Sequence, residues 1–247
     1  MGTVIAVTSG KGGTGKTSLV GAVGSCLAAL GHPTLCIDMD VGLRNLDLTL
    51  GLSDRALMDF TDVAEGRCPL EKAVVEHPEI QDLFLLTAPF SFPLNVPEDT
   101  MKNLLTQARG AFDYILLDAP AGLGEGFHLA ACGCDRAIVV STTDASALRD
   151  AQRTVSELSR RQVEQVHLVV NRVQPKLLKK LHTTIDDAMD TAGLPLLGVV
   201  PEDNLVMLAA NRGRPLILCA NKGAAIGYRN IAFRIEGRRV PVMGPVW

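Results

Sequence analysis

One loop near the start of the chain restricts the possible folds more than any other feature. The stretch Gly10-Lys11-Gly12-Gly13-Thr14-Gly15-Lys16-Thr17 fits the pattern G-x-x-x-x-G-K-[ST]. The apolar run Thr3–Thr8 precedes it and a helical pattern follows it, which is the context that a phosphate-binding loop requires. Average residue frequencies give this pattern in about one chain in a hundred of this length, so a chance glycine-rich turn is the weaker interpretation.

The residue types of the loop suit a bound nucleotide triphosphate. Glycines let backbone N–H groups turn toward phosphate oxygens, and the helix that follows adds the positive end of its dipole. In such loops the lysine contacts the β- and γ-phosphates and the next hydroxyl holds magnesium, which assigns these roles to Lys16 and Thr17. We therefore predict a bound nucleotide with Mg²⁺; that the nucleotide is ATP is what the family resemblance described below implies. The predicted nucleotide contacts in the loop are Gly10, Lys11, Gly12, Gly13, Thr14, Gly15, Lys16, Thr17 and Ser18.

Short apolar runs alternate with longer helical patterns along the chain. Nearly continuous apolar runs are typical of parallel strands that are covered on both faces. The alternation predicts a doubly wound, mainly parallel α/β sheet with helices on both faces, in one domain of residues 1–247. The predicted strands are Thr3–Thr8, Thr34–Ile37, Leu83–Leu86, Tyr114–Leu117, Ala137–Val140, His167–Val170 and Leu196–Val199. The predicted helical segments include Thr17–Leu30, Glu98–Arg109, Ala145–Arg160 and Lys176–Ala192, and a last core helix carries Tyr228, Ile231, Ala232 and Ile235.

Three aspartates follow predicted strands. Asp38 and Asp40 come at the end of one strand, and Asp118 ends the apolar run Tyr114–Leu117. The carboxyl ends of strands in an open α/β sheet face the ligand crevice, so these side chains should lie near the phosphate loop. Four hydrophobic residues followed by an aspartate form the arrangement in which the carboxylate holds magnesium through water. For each acid taken alone, a solvated turn residue is the alternative.

Lys11 and several later segments carry a family resemblance. With its second lysine, the loop resembles the deviant Walker A motif of the MinD/ParA ATPases. The string Asp38–Asp47 and the stretch Asp118–Gly122 resemble the two switch regions of that family. Two short segments that follow strands resemble those around the adenine base, and they add Asn171, Arg172, Pro201, Glu202 and Asp203 to the predicted nucleotide contacts.

The resemblance implies a magnesium-dependent ATPase that dimerises when it binds ATP. It implies that Lys11 reaches the nucleotide of the partner subunit and acts in catalysis with Lys16 and Asp40. Asp40 would position the attacking water, and Thr17, Asp38 and Asp118 would serve the metal. The implied role is a slow switch that recruits partners of the MinC or MinE type to place the division site. A ParA-like or flagellar-number ATPase acting on DNA or another cargo is the alternative.

Charge bears on nucleic-acid and membrane partners. The net charge of −3 speaks against general nucleic-acid binding. The segment 212–239 nevertheless carries +6, with seven basic residues and one acid. Two prolines and a glycine in residues 241–247 predict an irregular apolar tail instead of the membrane-binding helix that the family often has there. We therefore expect a cytoplasmic protein, with peripheral contact with the inner face of the cell membrane, through the basic segment and Trp247, as the alternative.

The six cysteines are scattered through the sequence, as reduced core thiols are. Cys132 and Cys134 form the one close pair, within a helix-like stretch. The C-x-C spacing lacks the second pair that a zinc or cluster site would need, so we predict core packing for both. An iron–sulfur carrier built on the same fold is the alternative from another functional class.

Overall fold

The computed structural model describes residues 1–90 and 96–242, and the described strands join in a single sheet. Every predicted strand is present, and several extend by one to three residues at one or both ends. The strands are β1 Thr3–Thr8, β2 Thr34–Asp38, β3 Val75–Glu76, β4 Leu83–Leu86, β5 Tyr114–Asp118, β6 Arg136–Ser141, β7 Gln165–Val173 and β8 Leu196–Pro201. The spatial order is β3-β4-β2-β5-β1-β6-β7-β8. All neighbouring pairs are parallel except the short antiparallel pair of β3 and β4, so the predicted fold class is confirmed.

Helices cover both faces of the sheet. Buried residues of α1 and α12 share one apolar cluster on one face, and those of α5 and α7 belong to two clusters on the other. The helices are α1 Lys16–Ala29, α2 Asn45–Leu50, α3 Phe60–Ala64, α4 Leu70–Ala73, α5 Glu98–Ala111, α6 Glu125–Ala131, α7 Ala145–Arg160, α8 Pro175–Leu181, α9 Ile185–Ala192, α10 Asn204–Asn211, α11 Leu216–Cys219 and α12 Ala224–Ile235. The expected last core helix is α12, with Tyr228, Ile231, Ala232 and Ile235 buried.

The predicted helical segment Lys176–Ala192 is wrong in one respect, because it forms two helices. Helix α8 ends at His182, whose φ of 50° lies in the left-handed region. Thr184 then caps α9 through a reciprocal pair of hydrogen bonds with Asp187. The T-x-x-D spacing was a visible start signal for a new helix, and apolar periodicity alone did not reveal the break.

The pair Cys132 and Cys134 lies just after α6, not within a helix as expected. Both side chains are half-buried against the core clusters, in keeping with a packing role. Burial, the largest cause, raises the pKa of the Cys132 thiol to about 11 and that of Cys134 to about 12. Thiols of this kind are poor nucleophiles and poor metal ligands at neutral pH.

The predicted irregular tail, residues 241–247, lies largely outside the described residues. Pro241 and Val242 belong to neither a helix nor a strand, and residues 243–247, including Trp247, are among those not described. Across residues 1–90 and 96–242, no helix combines the length and the apolar character needed to cross a membrane.

Candidate functional site: a phosphate loop beside three carboxylates

The loop between β1 and α1 has the backbone geometry of a phosphate cradle. Gly13 and Gly15 have φ values of 78° and 90°, a region that favours glycine. A Cβ atom at Gly15 would lie 2.3 Å from Nδ2 of Asn171. That same Nδ2 donates to the carbonyl oxygen of Thr14 at 2.8 Å. The loop is therefore held from one side by β7, and only glycine fits at position 15.

Lys16 begins α1 and is buried, with its ammonium group at the centre of the site. Its Nζ donates to Oγ of Ser9 at 3.0 Å, and that hydroxyl donates to the carbonyl oxygen of Lys11 at 2.7 Å. Burial lowers the pKa of Lys16, and the charges of Asp118 and Asp40 oppose that shift. Sequence reasoning missed Ser9, which is fully buried; the available signal was a hydroxyl residue between the apolar strand and the first glycine of the loop.

Parallel pairing brings the predicted acids together. Asp38 of β2 is the register partner of Asp118 of β5, and β5 also pairs with β1, which leads into the loop. Burial and then the charge of Asp38 raise the pKa of Asp118 to about 8, against a hydrogen bond with the Thr17 side chain. Burial raises the pKa of Asp38 to about 6. Asp40 is half-buried, and burial raises its pKa overall, although the charge of Lys16 opposes the shift.

Asp38 also shapes the loop after β2. Its two carboxylate oxygens accept hydrogen bonds from the backbone N–H groups of Asp40, at 2.9 Å, and Leu46, at 3.1 Å. These bonds fold the chain back toward the phosphate loop and fix the position of Asp40. Sequence reasoning assigned Asp38 to the metal alone and did not predict this contact.

The donor set fits magnesium with a nucleotide. Three acids surround one lysine, and both Oδ1 of Asp118 and Oγ1 of Thr14 are buried without a hydrogen-bond partner. Among the described residues no cluster of three or more His, Cys, Asp or Glu side chains forms a cage of its own for a metal. Magnesium is commonly held by one or two carboxylates together with phosphate oxygens and water. The hydroxyl of Thr17 beside Asp118 completes this chemistry.

A cavity of about 390 Å³ opens beside the loop and collects all five residues predicted around the base. Arg172 donates to the carbonyl oxygen of Gly13 at 3.0 Å and pairs with Glu202 at 2.8 Å. The side chain of Asp203 caps α10 by accepting from the N–H of Leu205. These residues therefore form the wall of the cavity and anchor the loop to it. Those lining it are Gly13, Gly15, Ser18, Asn171, Arg172, Pro201, Glu202, Asp203, Asn204, Val206, Met207, Ala210 and Tyr228.

The cavity has apolar surface that sequence reasoning did not assign. Val206, Met207 and Ala210 of α10 line it, and Met207 is 61% exposed. Tyr228, predicted only as a core residue, also lines the cavity together with Asn171. Apolar side chains with a few convergent polar groups are the usual lining of a small-molecule site. The available signal was the Asp203 cap, which starts a helix directly after β8.

Lys11 contacts its own chain in this structure. Its Nζ lies 3.0 Å from Oδ2 of Asp144 and 3.0 Å from Oγ of Ser146, at the start of α7. Hydrogen bonds from Ser146 and then Lys11 lower the pKa of Asp144. Both side chains are about half exposed, and exposed ion pairs of this kind contribute little to stability. The predicted contact with a partner nucleotide stays a prediction.

The comparisons with known proteins agree with this geometry. A family model described as the CobQ/CobB/MinD/ParA nucleotide-binding domain matches residues 5–216. The septum site-determining protein MinD of Bacillus subtilis is 41% identical over 98% of this chain and 92% of its own length. A MinC:MinD cell division protein complex from Aquifex aeolicus matches with a TM-score of 0.89 and 34% identity, over 98% of both chains. MinD of Pyrococcus horikoshii, solved with Mg-ADP, matches at 0.82 and 25% over 96% of both chains. With its phosphate loop and buried acids, the chain belongs to the CobQ/CobB/MinD/ParA family of nucleotide-binding proteins and is an ATPase that uses ATP and Mg²⁺.

Proposed function

We propose that residues 1–247 form a single ATPase domain that acts as an ATP-dependent dimerising switch in division-site placement. The observation that carries this proposal is the meeting of Lys16 with Asp38, Asp40 and Asp118 at one end of the sheet, in a chain so similar to MinD proteins. Relatives named septum site-determining proteins cover nearly the whole chain. We propose that the protein is cytoplasmic, with peripheral contact of the protein itself with the inner face of the cell membrane as the alternative.

The roles of the site residues follow from their positions. The loop N–H groups and Lys16 hold the phosphates and oppose the charge that develops on them during transfer. Thr17 and Asp118 would hold the metal. Asp38 would contact the metal's water shell, and its carboxylate also fixes the loop after β2. When bound, magnesium supplies positive charge against the phosphate oxygens.

Asp40 is the residue proposed to position the attacking water. Its carboxylate is half-buried at the mouth of the site; burial raises its pKa, and the charge of Lys16 opposes that shift. The hydrogen bond from its own N–H to Asp38 fixes its backbone. A carboxylate held in this way can accept a hydrogen bond from a water molecule and orient it for in-line attack.

The dimer proposal rests on Lys11 and on exposed apolar side chains at the same end of the sheet. Leu43, which follows Asp40, is 65% exposed, and Leu123, which follows the Asp118 loop, is 38% exposed. Burial of such residues would favour association. The exposed contacts of Lys11 with Asp144 and Ser146 can be exchanged for a partner nucleotide at low cost. The site is complete only when that lysine arrives from the second subunit.

Size-exclusion chromatography with ATP against ADP tests the switch. We expect the wild-type chain to elute as a dimer with ATP and as a monomer with ADP. In the Lys11→Ala variant, nucleotide binding should stay measurable while phosphate release collapses. Lys179→Ala, which removes an exposed lysine of α8, is the matched control and should behave as wild type. Full phosphate release by a monomeric Lys11→Ala variant would contradict the role in trans.

The partner proposal comes from one structural neighbour. The Aquifex aeolicus structure is a MinC:MinD complex, and we propose that this chain binds a regulator of the MinC type in its ATP-bound dimer. Co-elution of such a regulator with ATP but not with ADP would support it.

The DNA and membrane alternatives have their own tests. An ATP-dependent electrophoretic shift with nonspecific DNA would favour the DNA alternative over the role in division-site placement. ATP-dependent pelleting with anionic liposomes would establish contact with a membrane.

A further inference from the structure

A second cavity lies at the other end of the sheet, away from the phosphate loop. It has a volume of about 300 Å³ and is formed where β6, β7 and β8 begin and α12 ends. The phosphate loop follows the carboxyl end of β1, whereas this cavity opens at the amino ends of the neighbouring strands. The two sites are therefore separate. The residues lining it are Ile5, Arg136, Ala137, Ile138, Gln165, His167, Leu197, Arg234, Ile235, Glu236 and Gly237.

Two guanidinium groups in this cavity are fixed by backbone carbonyls. Arg136 donates to the carbonyl oxygen of Ile235 at 3.3 Å, and Arg234 donates to those of Leu196 and Val240 at 3.3 and 3.2 Å. Nε of Arg234 is buried without a hydrogen-bond partner. Among residues 1–90 and 96–242, neither arginine forms an ion pair with a carboxylate, as the sixteen pairs found there involve other residues. Two positive charges are thus held in one cavity with no described carboxylate oxygen within 4.0 Å of either.

His167 of β7 reports the same positive potential. Its pKa is lowered by burial first, and then by the charges of Arg136 and Arg234. Glu236 is the acid among the described lining residues. One of its oxygens lies 2.6 Å from Nε2 of His32, and the other lies 2.9 Å from Nε of Arg238 but has no hydrogen-bond partner. With two arginines and one acid, the described lining keeps a net positive charge.

We propose that this cavity binds a small organic anion through a phosphate or carboxylate group. Guanidinium groups are donors suited to the two oxygens of a carboxylate or phosphate, and they form shorter and stronger hydrogen bonds with charged acceptors. Among the described residues the guanidinium of Arg136 donates one hydrogen bond, to the carbonyl oxygen of Ile235, so its other N–H groups remain as donors for such a group. The apolar side chains of Ile138 and Leu197 line the cavity and suit a short hydrocarbon part. A volume near 300 Å³ is at the lower end of the range for small-molecule sites.

The test follows the side-chain NMR signal of His167 in the full-length protein, kept saturated with Mg-ADP so that the nucleotide site stays occupied. Inorganic phosphate and succinate are titrated separately at constant ionic strength. Either anion should move the His167 signal saturably and raise its pKa, and the arm that binds more tightly identifies the preferred group. If neither anion gives a saturable shift of His167, the proposal is overturned.

Charge-matched variants locate the binding. Arg136→Gln and Arg234→Gln should each weaken anion binding about tenfold, the size expected for one charge-assisted contact. Arg229→Gln removes an exposed positive charge from the same helix, α12, and should leave the affinity unchanged. Equal loss in all three variants would show general attraction to a basic surface and would overturn the assigned site. Should Arg234→Gln fail to fold, Arg136→Gln and the wild-type titration still decide.

Discussion

Neutralising Asp118 should stabilise the free protein while it weakens nucleotide binding. The carboxyl is fully buried beside Asp38. Burial, and then the charge of Asp38, raises the pKa of Asp118 from 3.8 to about 8. The folded state therefore holds the proton more tightly than the unfolded chain does. Its contribution to stability is complete at low pH and is lost as the pH rises from the unfolded toward the folded pKa. Neutral pH lies below the folded pKa of Asp118, so the chain takes up a proton as it folds, and that uptake destabilises the free fold.

The size of that cost follows from the shift. One pH unit between the unfolded pKa and the working pH corresponds to roughly 1.4 kcal/mol, so at neutral pH the cost of protonating Asp118 on folding is about 4 kcal/mol on this scale. Asp118→Asn keeps the shape and takes up no proton on folding. We expect the variant to be more stable than wild type by about 2 to 4 kcal/mol near neutral pH, with most of the gain lost at acidic pH.

Urea unfolding at two pH values, with and without Mg-ATP, measures the effect. The free Asp118→Asn variant should unfold at higher urea than wild type near pH 7, and at similar urea near pH 4. Mg-ATP should stabilise wild type by far more than the variant, because the variant lacks one of the acids that serve the metal. Asp54→Asn, an exposed turn residue, is the control and should change neither value. A free variant that is less stable than wild type at neutral pH would refute the argument.

Two further changes test the loop and its anchor. Gly15→Ala places a Cβ 2.3 Å from Nδ2 of Asn171 at a φ of 90°, so nucleotide affinity measured by calorimetry should fall at least tenfold. Gly66→Ala, at a φ of 75° with no atom within 4 Å, is the control, and its free energy of unfolding gives the cost of the positive φ alone. Asn171→Ala removes the bond to the carbonyl oxygen of Thr14 and should weaken ATP binding about tenfold, as expected for one buried hydrogen bond. Unchanged affinity in either loop variant would show that the cradle does not depend on β7.

The fold was predictable because its strands are buried on both faces. Such strands read as unbroken apolar runs, and β1, β4 and α7 have the predicted bounds to the residue. The site acids were predictable for a related reason. In a parallel sheet the chain leaves each strand at the same edge, so the position of Asp38 and Asp118 at strand ends already placed them near the loop.

The parts that sequence reasoning missed depend on contacts between distant residues. The ion pair of Lys11 with Asp144 joins residues 133 positions apart, and the bond of Asn171 to Thr14 joins residues 157 apart. Tyr228 fits an apolar helix pattern equally well as a core residue and as a cavity wall. Periodicity describes which face of a helix is buried, but it does not say what lies opposite that face.

The electrostatics of the site connect binding, stability and switching. A protein without its nucleotide keeps three acids around Lys16, and burial of these acids opposes their charged forms. Any ligand that supplies positive charge beside Asp118 and negative charge beside Lys16 removes this conflict, so Mg-ATP stabilises the fold as it binds. The loop from Asp40 to Leu46 is fastened to Asp38 by two backbone bonds. A change in the charge of Asp38 on binding therefore acts directly on the segment that carries exposed Leu43, which is the surface proposed to meet the second subunit.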